Sequence, residues 1–207
     1  MEREPRGAPT RGAPEHRAHE ALGLGHPATQ HRRRTKSEPL SVRPSVTRSS
    51  AATLKLRRPR ITDIPRLVEI ERAAFAAGYY REHRLTAADF EMLLRRDETF
   101  FLVAESRRLV VGDLVGDLSL SKAKRLARLD SIAVDPEWGA RRIGSRLARR
   151  FLAHAHRLGY RGVTLEVAVP NRGAQRFFSG LGFRRPRRLA KYYNGRVDGL
   201  RMTYKFR

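Results

Sequence analysis

Up to about residue 52 the chain shows no hydrophobic period, with Leu22, Leu24, Leu40, Val42 and Val46 as its only larger apolar residues. From Leu54 onward apolar positions recur at regular spacing. LKLRRPR (54–60) reads as a first strand, and Thr62 and Asp63 open a helix whose Ile64, Leu67, Val68, Ile70 and Phe75 share one face. Thr86 with Asp89 resembles a capping box that starts a second helix through Met92 and Leu93. TFFLVAES (99–106) and LVVGDLVGDLSL (109–120) read as two strands turning at Ser106-Arg107-Arg108. RLARLDSIAV (125–134) is a fourth strand, and Arg142 to Leu158 is an amphipathic third helix that Gly159 closes. VTLEVAV (163–169) is a fifth strand. Asn171 then caps a fourth helix ending near Gly180, and FRRPRRL (183–189) and GLRMTYKF (199–206) supply two late strands. The order is β-α-α-β-β-β-α-β-α-β-β, without an internal repeat.

This division sets the domain boundary. Residues 1–53, rich in Arg, Pro, Ala, Ser and Thr, cannot bury enough apolar surface to offset chain entropy and are expected to be a disordered basic tail. Residues 54–207 form the folded domain, and a hydrophobic content of 40% over 207 residues suffices for its core. No run of about 18 apolar residues spans a membrane. The N-terminus lacks an apolar secretion segment, and Glu2, Glu4, Glu15, Glu20 and Glu38 argue against an organellar presequence, so the expected compartment is the cytoplasm. With no cysteine there is no disulfide, thiolate metal site or cysteine nucleophile. His154 and His156 are two apart on a helix, do not share a face, and read as solvated side chains and not as metal ligands.

Charge adds one further constraint. The tail holds 10 basic and 5 acidic residues and the domain 34 and 16, within a net charge of +23. A domain this basic attracts an anionic cofactor and tolerates a polyanionic neighbour such as RNA or the ribosome. A compositional preference for Arg over Lys accounts for it equally well. The run His31-Arg32-Arg33-Arg34 is a weak RNA signal.

The chemistry concentrates between Leu129 and Phe183. An apolar strand ends at Asp135-Pro136, a Gly/Arg loop follows, and a long helix begins with backbone N–H groups that lack intrahelical partners. Such a start, at the positive end of a helix dipole, suits a pyrophosphate. Five pieces stand in order here: SIAVDPEW, RRIGSRL, TLEVAVPN, AQRFFSGLGF and KYYNGRVDGLRM. In these the chain resembles the GCN5-related N-acetyltransferases (the GNAT superfamily), and within them the ribosomal-protein-alanine N-acetyltransferase type, over about residues 54 to 207.

The resemblance implies an α/β fold with a twisted, mixed six- to seven-stranded sheet, helices on both faces and a splay between the fourth and fifth strands. It implies acetyl-CoA as co-substrate, with backbone groups of Ile132, Ala133 and Val134 pairing with the pantetheine arm. In the phosphate loop the family's Q/R-x-x-G-x-G/A aligns on Gly139, Ala140, Arg141, Arg142, Ile143 and Gly144. Gly139 therefore stands where Gln or Arg is usual, and Arg142 stands where a glycine lets the backbone approach the phosphates. Arg142 offers a guanidinium in return or obstructs the site, and a weaker cofactor site is expected. Arg141 and Ser145 are further phosphate contacts, and Asn171 and Phe178 are placed on the cofactor side.

Acetyl transfer needs a base for the amine and a proton for the departing thiolate. Glu166 stands at the family's catalytic glutamate, sharing a strand face with Thr164 and Ala168; a structural pairing with an arginine is the alternative. The family's tyrosine acid falls on Phe178, which has no proton to give, so Tyr192 and Tyr193 become the hydroxyl candidates. The implied activity is acetylation of a primary amine, with a protein N-terminal α-amine favoured over a small molecule. The alternative is a weak or inactive module of this fold that binds acyl-CoA or RNA.

Overall fold

The computed structural model describes residues 21–23, 53–119 and 125–207, so the expectation of a disordered tail lies almost wholly outside the described residues. The elements are β1 (Ala21–Gly23), β2 (Lys55–Arg57), α1 (Ile64–Ala74), α2 (Ala87–Arg95), β3 (Thr99–Ser106), β4 (Leu109–Asp117), β5 (Leu126–Val134), α3 (Ile143–Arg157), β6 (Gly162–Ala168), α4 (Arg172–Leu181), β7 (Arg184–Tyr193) and β8 (Val197–Lys205). The sheet runs β2-β3-β4-β5-β6-β8-β7. Its neighbours are antiparallel except β5 and β6, which are parallel.

Both faces of the sheet are covered, which is why β4 is buried almost throughout. On one face Leu147 and Phe151 of α3 and Phe178 of α4 pack on Leu114, Leu129 and Leu165. On the other, Leu67 and Ile70 of α1 and Phe90 of α2 pack on Val103 and Val115. Gly116 brings α3 close: a Cβ there would lie 2.4 Å from the Phe151 ring. Among the described residues no helix is long and apolar enough to cross a membrane.

Several elements differ from their sequence pattern for local reasons. The first strand keeps only Lys55–Arg57, because Pro59 brings no N–H to the ladder. Asp63 does not cap α1; its carboxylate takes the Arg57 guanidinium and the Arg60 N–H, and a 3-10 turn precedes the helix. Helix α4 runs on to Leu181, just past the expected end near Gly180, and closes at Gly182, whose φ of 105° supplies a left-handed residue. Strands β7 and β8 are longer than expected and form a hairpin around Asn194 and Gly195, at φ 53° and 66°. Tyr192 and Tyr193 therefore end a strand and do not lie in a loop.

The sheet also carries the splay. β5 and β6 pair only at Leu126–Arg128 with Gly162–Thr164 and then part. Beyond that point the freed edge of β5 takes an added parallel strand, with Ala21, Leu22 and Gly23 opposite Ser131, Ile132 and Ala133.

On the α1 side of the sheet two carboxyls are fully enclosed. One oxygen of Glu71 accepts the Leu85 N–H at 3.0 Å. Neither oxygen of Asp113 has a hydrogen-bond partner among the described residues. Burial pushes Asp113 up to about 8, and burial together with the Asp113 charge pushes Glu71 well above the carboxylate range.

Candidate active site

One end of the site is built by the turn out of β5. The Asp135 carboxylate accepts the Glu137 N–H at 2.9 Å and pairs with Arg66 of α1, which fixes the strand's exit. The loop then turns sharply, with Ala140 and Arg142 in the left-handed region at φ 59° and 58°. For residues with a Cβ that conformation costs roughly 1–2 kcal/mol each. Arg142 is the N-cap of α3, so it holds the glycine-like conformation that the family pattern anticipates there, and holds it under strain. The loop and the helix start enclose a cavity of about 270 Å³. The Arg141 guanidinium lies over the Trp138 ring at 4.5 Å from its centroid, a cation–π contact that fixes its position. Two guanidiniums, a serine hydroxyl and the unpaired N–H groups of a 15-residue helix form a donor set that fits a phosphate-bearing group.

The expected cofactor residues divide around this cavity. Val134, Gly139, Ala140, Arg141, Arg142, Gly144 and Ser145 line it. Ile132 and Ala133 are buried in β5 beside the added strand. Phe178 is a correction: it is 1% exposed and packs edge-on to Phe183 in the core, and its neighbour Phe177 lines the cavity instead. A Cβ on Gly144 would stand 3.3 Å from Phe177, so this glycine admits the aromatic ring. Asn171 caps α4, accepting the Ala174 N–H at 3.0 Å, and donates to the Tyr80 hydroxyl at 3.1 Å.

Glu166 sits on β6 past the point where β5 and β6 separate. Its side chain is 1% exposed, and one carboxylate oxygen pairs with Arg201, its cross-strand partner on β8. The other oxygen is buried without a hydrogen-bond partner among the described residues. Burial raises the proton affinity of this carboxyl above the usual glutamate value, and Arg201 pulls part of that back. The outcome is a carboxyl of raised proton affinity, anchored on one side by Arg201 and enclosed on the other without a hydrogen-bond partner among the described residues. The arginine pairing foreseen as an alternative to catalysis is thus present, and it leaves one oxygen unused.

The tyrosines close this end. Tyr192 is half-buried, and burial together with the Glu166 charge pushes it up to about 12. Tyr193 is fully buried, its ring 5.4 Å from Tyr80 and its hydroxyl without a partner among the described residues. Burial raises its ionisation further still. Both phenols therefore stay protonated near neutral pH. In front of Tyr193 a second cavity of about 460 Å³ opens between the 3-10 segment Gly78–His83 and the β7–β8 hairpin. Asn194 of the hairpin donates to the Tyr79 carbonyl at 3.4 Å and ties the two walls together.

Sequence spacing does not reveal Arg201, Phe177 or Tyr80. The Arg201 pairing depends on the β6–β8 register, and the choice between Phe177 and Phe178 depends on helix phase. Tyr80 comes from a segment with no periodic signal, yet its hydroxyl holds both Asn171 and the Ala168 N–H.

The profile of the acetyltransferase (GNAT) family matches residues 64–183. An uncharacterised N-acetyltransferase of Methanocaldococcus jannaschii is 34% identical over 112 residues, covering 53% of this chain and 50% of that protein. The chain spans half or less of the length of the curated relatives it matches. Among solved structures, the ribosomal-protein-S18-alanine N-acetyltransferase from Escherichia coli superposes with a TM-score of 0.63 at 21% identity, covering 74% of this chain and 94% of that one. Arabidopsis thaliana NAA60, solved in complex with acetyl-CoA, gives a TM-score of 0.64 at 20% identity over 74% and 99% of the two chains. At such identities these structures share the fold.

Proposed function

The chain belongs to the GNAT acetyltransferase family, and from that premise we propose that it transfers the acetyl group of acetyl-CoA to a primary amine, the α-amine of a protein N-terminus. The observation that carries this reading is Glu166: a buried carboxyl at the splay, one oxygen held by Arg201 and the other without a hydrogen-bond partner among the described residues. Relatives named for N-terminal acetylation, among them N-alpha-acetyltransferase 30 of Xenopus laevis, support the choice of acceptor.

Acetyl-CoA supplies the thioester carbon and a good leaving group. Arg141, Arg142, Ser145 and the first N–H groups of α3 hold its phosphates. The edge of β5 at Ile132, Ala133 and Val134 would align its extended arm in the place that Ala21–Gly23 take along Ser131–Ala133 in this structure. The acceptor nitrogen bonds to the carbonyl carbon while the carbon–sulfur bond breaks, and the proton shed by the amine goes to the free oxygen of Glu166. Phe178 offers no proton, so the thiolate takes one from water or from Tyr192, the partly exposed phenol in the field of Glu166. A thiolate is basic enough to be protonated and weak enough to depart without a fixed acid.

The test is calorimetric titration of the full chain with acetyl-CoA, followed by thiol release with a peptide mixture. Binding is expected, and Glu166→Gln is expected to lower turnover by about 10²–10⁴ while leaving binding intact. Binding without release from any amine would favour the non-catalytic acyl-CoA module and overturn the enzyme reading.

A further inference from the structure

The acceptor cavity has a charge pattern that the transfer chemistry leaves unexplained. On the neighbouring strands Glu166 pairs with Arg201 through one oxygen, and Asp130 pairs with Arg128. At the mouth the balance changes. Arg81 on the 3-10 wall and Arg196 on the hairpin wall both line the cavity, and both are exposed. Neither forms an ion pair with a carboxylate among the described residues, unlike Arg66, Arg128 and Arg201. The single acid in the lining, Glu82, is exposed and leaves the rim with an excess of positive charge. The Asn194–Tyr79 bond joins the two walls that carry Arg81 and Arg196.

An exposed arginine gains little from water and more from a carboxylate that it can hold in a two-point contact. The domain's basic excess adds long-range attraction for acidic chains and slows basic ones. Tyr79 and Tyr193 also line the cavity and give it the aromatic surface common to ligand sites.

We propose that the acceptor is an acidic N-terminal segment, whose carboxylates are held at the mouth by Arg81 and Arg196 while its α-amine reaches inward to Glu166. This rests on the acetyltransferase reading and adds the class of acceptor. Recognition by charge also excludes: a lysine-rich N-terminus would meet two guanidiniums that have no ion pair among the described residues, so selectivity comes from repulsion as much as from attraction.

The test is a peptide series with N-terminal alanine and acidic, neutral or lysine residues at positions two to four, assayed with the full chain and acetyl-CoA by thiol release. At low ionic strength kcat/KM for the acidic peptide is expected to exceed that for the lysine peptide by about tenfold. The gap should narrow as salt rises. The charge reversal Arg81→Glu with Arg196→Glu is expected to invert the ranking. Should that variant lose its fold, Arg81→Gln with Arg196→Gln is expected to shrink the preference for the acidic peptide, and an unchanged preference overturns the proposal. Equal rates across the series, or a preference for lysine, overturn the proposal, as does a ranking that ignores both salt and charge reversal. Acetylation of small amines but no peptide overturns it while leaving the acetyltransferase reading intact. Acetyl-CoA binding with no acceptor of any kind overturns both.

Discussion

Asp113 is buried on β4 with no partner for either oxygen among the described residues, and its carboxyl is pushed up to about 8. In the unfolded chain it titrates near 3.8. Between these values the native state holds a proton that the unfolded state has released, so stability falls as pH rises. Each pH unit in that window costs about 1.4 kcal/mol, and by pH 7 the accumulated loss is about 4 kcal/mol. That is a large part of the roughly 5–15 kcal/mol by which a domain is stable. Asp113→Asn keeps the shape and removes the titration. Urea unfolding followed by far-ultraviolet circular dichroism at pH 5, 6, 7 and 8 is the assay. The unaltered chain should lose stability steadily across the series, and the variant should show a slope shallower by about 1.4 kcal/mol per unit. An amide without an acceptor gives back about 1–3 kcal/mol of the gain at neutral pH, so the slope is the cleaner observable. Glu71 is shifted the same way, and its own titration leaves a residual slope in the variant. Identical slopes for the two proteins would refute the reasoning, because Asp113 would then be ionised in the fold or reached by water.

Two further predictions concern the site. Arg201→Leu removes the guanidinium that lowers the Glu166 proton affinity, so the acid limb of the kcat/KM profile should move to higher pH, and Arg201→Lys should restore part of the shift. Arg142→Gly relieves a left-handed residue and should raise stability by about 1 kcal/mol in thermal unfolding. The same change removes a phosphate ligand and should weaken acetyl-CoA binding in calorimetry; tighter binding would mean that the arginine obstructs the loop.

Local spacing carries much of this structure. Thr86 and Asp89 form the capping box that their separation of three suggests, with the Thr86 N–H donating to Asp89 at 2.8 Å. The residues from Gly139 to Ser145 gather around one cavity because a loop entering a helix start is a contiguous object. What spacing could not carry is whatever depends on two distant segments meeting. The Glu166–Arg201 pair follows from how β8 slides against β6, and one residue of slip would send Arg201 to the opposite face. The full burial of Tyr193 depends on Tyr80, which is distant in the chain and packs its ring against it. The excess of arginine hides the difference between guanidiniums that are paired and those, such as Arg81 and Arg196, that are not.

The bond between Asn194 and Tyr79 joins positions 115 apart in the chain. The hairpin that carries Asn194 reaches the sheet only through β8, which lies between β6 and β7 and follows every other element in chain order. A nascent chain can therefore assemble the phosphate end of the site from residues 126–157, a nearly continuous stretch, well before it can form the acceptor mouth. Contacts of such separation form slowly and late. The protein should acquire a place for its acyl donor early in its folding and the means to choose an acceptor only as the last strand docks, so that partly folded chains hold the reactive group without being able to hand it to the wrong amine.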